Sequence, residues 1–321
     1  MKKALICGIS GQDGAYLASF LLQKGYEVTG TSRDIRAASF ENLERLGIRE
    51  NVTLLSVNLT DFGSVVQAIE KIEPAEVYNL AGQSSVGLSF ERPVETIESM
   101  SVVTLNLLEA MRLARRGPRF FNPASAECFG DTEGNPADEG TPFRPRSPYA
   151  VAKASAFWQV ATYREAYSLH ACSAILFNHE SPLRSERFVT KKIVRGAWRI
   201  ASGSGEKLHL GNLSIKRDWG WAPEYVEAMW QMLQRSDPQD FVIATGESHE
   251  LTEFLDAAFS FFGLRWKDHV IVDSGLKRPT DLPLALANPE KARRVLGWQA
   301  KNRMKDVVRM MCEEMNKGGK G

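Results

Sequence analysis

Apolar positions in this chain fall into two alternating rhythms. Short runs with little polar interruption recur at residues 3–7 (Lys-Ala-Leu-Ile-Cys), 27–31, 52–57, 76–81 and 119–122, each of a length suited to a buried strand. Between them, longer stretches at 16–24, 62–72 and 94–116 space their apolar residues three and four apart, the period of an amphipathic helix. Another helix is expected from Tyr149, where alanines are frequent and neither Pro nor Gly occurs for at least the next fifteen residues. Such alternation predicts a doubly wound parallel α/β sheet with right-handed crossovers and helices on both faces. The rhythm lapses after about Phe177. Residues 1–177 are therefore expected to form the sheet domain, completed by parts of 213–245, and residues 178–321 a smaller C-terminal domain carrying ligand contacts.

Composition narrows the partners. With 321 residues and 43% hydrophobic content, the chain can bury a large core. Forty basic against thirty-nine acidic residues give a formal charge of +1, which argues against nucleic acid or a membrane surface and leaves any anionic ligand to local arginines. The four cysteines lack CxxC spacing and the five histidines form no HxxxH or HExxH pattern, so neither disulfides nor a metal is expected. There is no signal-peptide succession and no apolar run of membrane-spanning length, and the expectation is a reduced, cytoplasmic, soluble protein.

The first strand run leads directly into Gly8-Ile-Ser-Gly11-Gln-Asp-Gly14 and then a helix. Glycines three apart let the backbone turn tightly and approach a pyrophosphate, while free N–H groups at the helix start receive the anion. Placed between strand and helix, this GxxGxxG variant predicts a dinucleotide-binding Rossmann domain rather than a structural turn. The second strand ends at Ser32-Arg33, where an NAD-specific protein usually carries an acidic residue for the ribose 2'-hydroxyl. An arginine there suits a 2'-phosphate and points to NADP, although Asp34 next in sequence offers the alternative acidic contact. Asn58 and Leu59 after the third strand, and Leu80 and Ala81 at the end of the fourth, are further cofactor candidates.

Strand ends also supply the candidate chemistry. Loop 82–87 (Gly-Gln-Ser-Ser-Val-Gly), with Ser84 and Ser85, and segment 123–130, with Ser125 and Glu127, both follow strands, where ligands bind in open parallel sheets. Each is also compatible with an ordinary polar turn. In Ser147-Pro-Tyr-Ala-Val-Ala-Lys153 a helix places Tyr149 and Lys153 one turn apart on one face. An ammonium beside a phenol favours phenolate, so the tyrosine pKa is expected to fall toward neutrality and the group to take a proton from an alcohol as a hydride leaves. A solvated surface pair is the alternative reading of that spacing.

The glycine fingerprint with Tyr149 and Lys153 resembles the extended short-chain dehydrogenase/reductase superfamily. Longer runs are narrower: Gly11-Gln-Asp-Gly14, Tyr78-Asn-Leu-Ala, Thr141-Pro-Phe-Arg-Pro-Arg-Ser-Pro-Tyr149, Leu176-Phe-Asn-His-Glu-Ser-Pro-Leu183, Phe188-Val-Thr-Lys-Lys-Ile193, Lys216-Arg-Asp-Trp-Gly220 and Ile243-Ala-Thr-Gly246. On these runs nearly the whole chain resembles the GDP-mannose 4,6-dehydratase family. The resemblance implies Ser125, Glu127, Tyr149 and Lys153 as the catalytic set, and Gly8, Gly11, Gln12, Asp13 and Gly14 at the cofactor. It implies internal hydride transfer through bound NADP with loss of water, a lyase by net reaction. It also implies a GDP-sugar substrate held by Asn178, by Val189 and Lys192 at the guanine, by Arg217 and Arg278 at the diphosphate, and by Asp281 at a ribose. Arg184 is implied as a contact to the cofactor of a neighbouring subunit in a homodimer or homotetramer.

Several positions depart from that pattern. Ser125 stands for a threonine, Ala124 and Ala126 for small hydroxyl residues, Asn58 for an aspartate, Met100 for an asparagine, and Asp281 for a glutamate; Leu-Arg-Ser-Glu-Arg at 183–187 replaces a glycine-containing run. No proton carrier is lost. These changes leave open a related GDP-sugar such as a GDP-heptose, or a GDP-sugar 4-oxidoreductase that never eliminates water.

Overall fold

The N-terminal apolar run forms β1 (Lys3–Cys7), whose last four residues are buried. Its residues alternate between two cores: Ala4 and Ile6 join one cluster, Leu5 and Cys7 the other. A central parallel strand between two helical layers has this arrangement, which explains an apolar run without polar alternation.

In the computed structural model, which describes residues 1–276 and 278–318, the chain continues through α1 (Gln12–Gln23), β2 (Glu27–Ser32), α2 (Glu41–Arg45), β3 (Thr53–Ser56), α3 (Phe62–Ile72) and β4 (Glu76–Asn79). After these come α4 (Val86–Glu91), α5 (Pro93–Ile97), α6 (Val103–Leu113), β5 (Arg119–Ser125), α7 (Pro148–Tyr167) and β6 (Ala171–Leu176). The C-terminal part holds β7 (Asn178–Glu180), α8 (Val189–Ala201), β8 (Leu208–Leu210), β9 (Lys216–Arg217), β10 (Trp219–Trp221), α9 (Ala222–Gln234) and β11 (Phe241–Ile243). It ends with β12 (His249–Glu250), α10 (Leu251–Phe261), β13 (Val270–Val272) and α11 (Met304–Gly318).

Seven strands form one sheet in the order β11-β6-β5-β4-β1-β2-β3, and every neighbouring pair is parallel. The chain winds outward in opposite directions from the β1–β4 pair. The loops after those two strands therefore part, leaving a crevice at their carboxyl ends. On one face α1 and α9 pack Leu17, Leu21, Val226 and Met229 against the sheet; on the other α3 and α6 pack Val65, Ile69, Leu107 and Leu108. A separate core joins α8, α10 and α11 through Ile193, Val194, Phe254, Leu255, Val307 and Val308, with Trp219 of β10 among them. Each fully buried Leu, Ile or Phe contributes roughly 1.5–3 kcal/mol. Among the described residues no helix is long and apolar enough to cross a membrane.

Three boundaries differ from the sequence-based expectation, each for a local reason. The first helix starts at Gln12 instead of 16, immediately after the glycine turn. The stretch expected as one helix over 94–116 is α5 and α6 joined by a π-type turn at Glu98–Val102, ending at Leu113. Strand β5 runs through Pro123 to Ser125. Odd-numbered residues of β5 direct their backbone groups to β4, as Arg119 N–H does toward Ala75 O. Pairing with β4 ends at Phe121. Pro123, which has no N–H to donate, therefore lies beyond the last residue of β5 that pairs with β4.

Candidate active site

At the turn after β1, Gly8 has φ +85°, and a Cβ on it would lie 2.5 Å from the Leu80 carbonyl oxygen. A Cβ on Gly14 would lie 2.3 Å from Gly8 O, so α1 packs directly on the turn. Gly11 caps α1 without any side chain taking up its first N–H groups. These face a cleft of about 1550 Å³ lined by Gly8, Gly11, Arg33, Asn58, Leu59, Leu80 and Ala81. The unsatisfied helix start, the close glycines and the terminal Arg33 fit a dinucleotide, with the pyrophosphate at the turn and Arg33 at the far end. Asp34 turns back on its own loop, its Oδ1 accepting from Arg36 N–H at 2.8 Å. Asn58 likewise accepts from the Thr60 hydroxyl at 2.8 Å.

The adjoining cavity, about 200 Å³, is lined by Ser84, Ser85, Ser125, Glu127, Tyr149, Lys153, Asn178, Arg184, Val189, Arg217 and Arg278. Residues from six separated parts of the chain thus converge there. Ser125 ends β5, and its hydroxyl accepts from Glu127 N–H at 3.3 Å, starting the 3-10 turn Ala126–Phe129 that aims Glu127 inward. Ser147 caps α7 by accepting from Ala150 N–H at 3.1 Å, with Pro148 in the first helical turn. This start fixes Tyr149 and Lys153 on the buried face, each only 9% exposed, which excludes the solvated-pair reading.

The electrostatics correct one expectation. Burial pushes the Tyr149 phenol above its ordinary value, with a hydrogen bond to Ser125 offsetting part of the rise. That burial outweighs the charge of Lys153, whose ammonium donates to Pro123 O at 2.8 Å. That carbonyl points into the space beyond the end of β4 and has no ladder partner there. Burial lowers Lys153 to about 8. It also raises the half-buried Glu127 carboxyl, against the opposing charges of Arg217 and Arg278.

The substrate candidates divide. Arg217, 4% exposed, donates to Leu282 O at 2.7 Å and to Asp281 at 3.2 Å. Arg278 lies 3.8 Å from the same carboxylate. Asp281 therefore stands behind the two guanidinium groups rather than on the cavity wall. Lys192 is turned away altogether: its ammonium donates to His209 O of β8 at 2.7 Å. Arg184 lines this chain's own cavity, 3.0 Å from Glu180 and over the Phe188 ring at 3.5 Å. Gln12 and Asp13 are likewise turned from the cofactor cleft; their side chains reach β7, with His179 Nε2 2.9 Å from Asp13 Oδ2.

Two residues of this region were not singled out from the sequence. Arg187 lines both the cavity and the cleft; the departure of its run from the family pattern was the available signal. His179 lay inside a quoted motif, but its partner is distant in sequence.

Comparison with known proteins adds an independent line. A family model described as GDP-mannose 4,6 dehydratase matches residues 5–311. GDP-mannose 4,6 dehydratase 1 of Arabidopsis thaliana is 47% identical over 326 aligned positions, covering 98% of this chain and 89% of the relative. The GDP-mannose 4,6-dehydratase of Sinorhizobium fredii is 42% identical over 339 positions, covering 98% and 96%. Among solved structures, the UDP-glucose 4-epimerase of Thermus thermophilus in complex with NAD superimposes with a TM-score of 0.86 at 26% identity, covering 98% of this chain and 99% of that one. The dTDP-glucose 4,6-dehydratase of Bacillus anthracis shares the fold, with a TM-score of 0.87 at 17% identity, covering 100% and 98%.

Proposed function

This chain belongs to the GDP-mannose 4,6-dehydratase family, and from that premise we propose that it converts GDP-mannose to GDP-4-keto-6-deoxy-mannose with net loss of water. The observation carrying this reading is the convergence of Ser125, Glu127, Tyr149 and Lys153 on one cavity beside the dinucleotide cleft. A simple 4-oxidoreductase needs the last two but has no use for a carboxylate facing the sugar.

A bound nicotinamide supplies a hydride acceptor for C4 and, after dehydration, a hydride donor for C6. With the positive charges of Lys153 and of a bound oxidised nicotinamide beside it, the Tyr149 phenol would ionise and take the proton of the C4 hydroxyl, aided by the Ser125 hydrogen bond. The resulting ketone acidifies C5. Glu127 removes the C5 proton and hands it to the departing C6 hydroxyl, which leaves as water; when hydride returns to C6 a proton returns to C5, balancing the one taken from the C4 hydroxyl. Burial that raises its pKa brings a carboxyl closer to the working pH, which favours a group that both accepts and returns a proton. Arg217 and Arg278 meet the diphosphate with planar forks of charge-assisted donors.

NADP is the proposed cofactor. Arg33 lies on the cleft wall, and the competing Asp34 carboxylate is spent on its own turn. A homodimer or higher homo-oligomer is supported by an exposed apolar face: Val151 (46%) and Trp158 (60%) on α7, beside Val94 (69%) on α5 and Leu105 (39%) on α6. The deciding experiment mixes purified protein with GDP-mannose and no added cofactor. A product lighter by one water is expected; recovery of unchanged GDP-mannose, or of an oxidised sugar without water loss, overturns the reading.

A further inference from the structure

The side chains of the glycine turn face the substrate strand. Gln12 donates to His179 O at 3.2 Å and accepts from the Ser181 hydroxyl at 2.8 Å. His179 stands between two acceptors, Asp13 Oδ2 at 2.9 Å from Nε2 and Phe177 O at 2.8 Å from Nδ1. A neutral imidazole carries one N–H and cannot donate to both, whereas an imidazolium satisfies both. All of Gln12, His179 and Ser181 are buried.

Three elements press on the imidazole. Asp13 comes from α1, Arg184 from the turn after β7, and Tyr225 of α9 stacks on the ring with centroids 4.5 Å apart. Burial and the Arg184 charge act against the imidazolium, but the Asp13 carboxylate prevails and the His179 pKa lies above its ordinary value. Reciprocally, burial opposes ionisation of Asp13, yet His179 brings it down to about 2. With an acceptor at each ring nitrogen the site suits the imidazolium, and the pair in that form is neutral in sum. A lone carboxylate beside the α1 start would repel a pyrophosphate; this one is compensated.

Strand β7 lies outside the seven-stranded sheet and, among the described residues, pairs only with the three residues of β10. It carries Asn178 into the cavity. We propose that Asp13 with His179, flanked by Gln12 with Ser181, forms a positioning contact that holds Asn178 in one register with the cofactor turn, so that the sugar is presented correctly to Tyr149. This rests on the functional reading above.

The experiment compares His179→Gln, Asp13→Asn and Ser181→Ala with the unaltered protein, measuring KM and kcat for GDP-mannose against pH, per mole of folded, cofactor-loaded enzyme. In the unaltered protein KM rises as pH passes the elevated His179 value. His179→Gln is expected to raise KM at least tenfold and flatten that rise, while the alkaline limb of kcat stays in place. Asp13→Asn removes the anion that favours the imidazolium, so the KM rise shifts to lower pH by roughly one to three units. Ser181→Ala deletes the hydrogen bond to Gln12 and the one that the hydroxyl accepts from Leu183 N–H at 3.1 Å, and raises KM about fivefold with kcat unchanged. It also serves if either charged-pair variant fails to fold. Unchanged KM and an unchanged pH profile in variants that merely melt earlier would reduce the cluster to a structural one. An unaltered protein that does not dehydrate GDP-mannose overturns the functional reading instead.

Discussion

Tyr149 and Lys153 lie one turn apart on α7, with the ammonium 5.9 Å from the centre of the phenol ring and hydrogen-bonded to Pro123 O at 2.8 Å. The lysine thus acts on the tyrosine through its charge across that gap, and only while it is protonated. Since burial lowers Lys153 to about 8, oxidation at C4 is expected to weaken as pH rises through that value. Lys153→Met, neutral at every pH, should show a low rate without that limb. Tyr149→Phe should lower kcat by roughly 10²- to 10⁴-fold, the range for a lost acid–base group. Rate–pH profiles of the three proteins test both statements; near-normal rates in both variants would remove the pair from the chemistry.

Glu127→Gln retains the side chain's size but cannot accept the C5 proton. Oxidation at C4 should continue while elimination falls by roughly 10²- to 10⁴-fold. Reduced nicotinamide should then build up on the enzyme, visible in its near-ultraviolet absorbance. Normal yields of dehydrated product from this variant would reassign the base.

Arg217 holds its position by donating to Leu282 O and Asp281, with the rest of its planar fork available at the cavity. Lysine keeps the charge but loses the fork. Arg217→Lys should raise KM for the sugar nucleotide by about tenfold or more, in line with one or two charge-assisted hydrogen bonds, with a smaller effect on kcat. Steady-state kinetics with GDP-mannose decide it, and an unaltered KM would place the diphosphate elsewhere.

Cofactor identity can be read directly. Denaturing the purified protein should release NADP, identified by mass, and Arg33→Ala should lose most of that retained nucleotide. NAD in the released fraction, with binding unchanged in the variant, would mean that Arg33 is not the discriminating residue.

A charge on the exposed apolar face should break the proposed assembly. Trp158 is 60% exposed, and its ring also meets Phe157 and Phe143 edge-on at 5.3 and 6.2 Å, so Trp158→Glu is compared with the unaltered protein at matched folded fraction. Light scattering is expected to show the unaltered protein as a dimer or larger and the variant reduced to monomer. An unaltered protein that is monomeric at micromolar concentration would rule the assembly out.

What the sequence determined about this protein is what short-range geometry determines. Uninterrupted apolar runs made buried parallel strands, glycines three apart made the turn after β1, and the four-residue spacing put Tyr149 and Lys153 on one helix face. The tertiary structure decided where those groups point. Lys153 turns to Pro123 O because β4 stops short of it, a fact of strand lengths in a neighbouring part of the chain. Lys192 sits on α8 within a motif that suggested the guanine, yet the packing of β8 against that helix captures its ammonium. Asp13 and His179 are 166 residues apart, and neither composition nor period marks them as partners. Periodicity reports which side of an element is buried because backbone geometry repeats along the chain. Which charge meets which carbonyl depends on how separate elements dock, and that is set by the summed packing of the whole core.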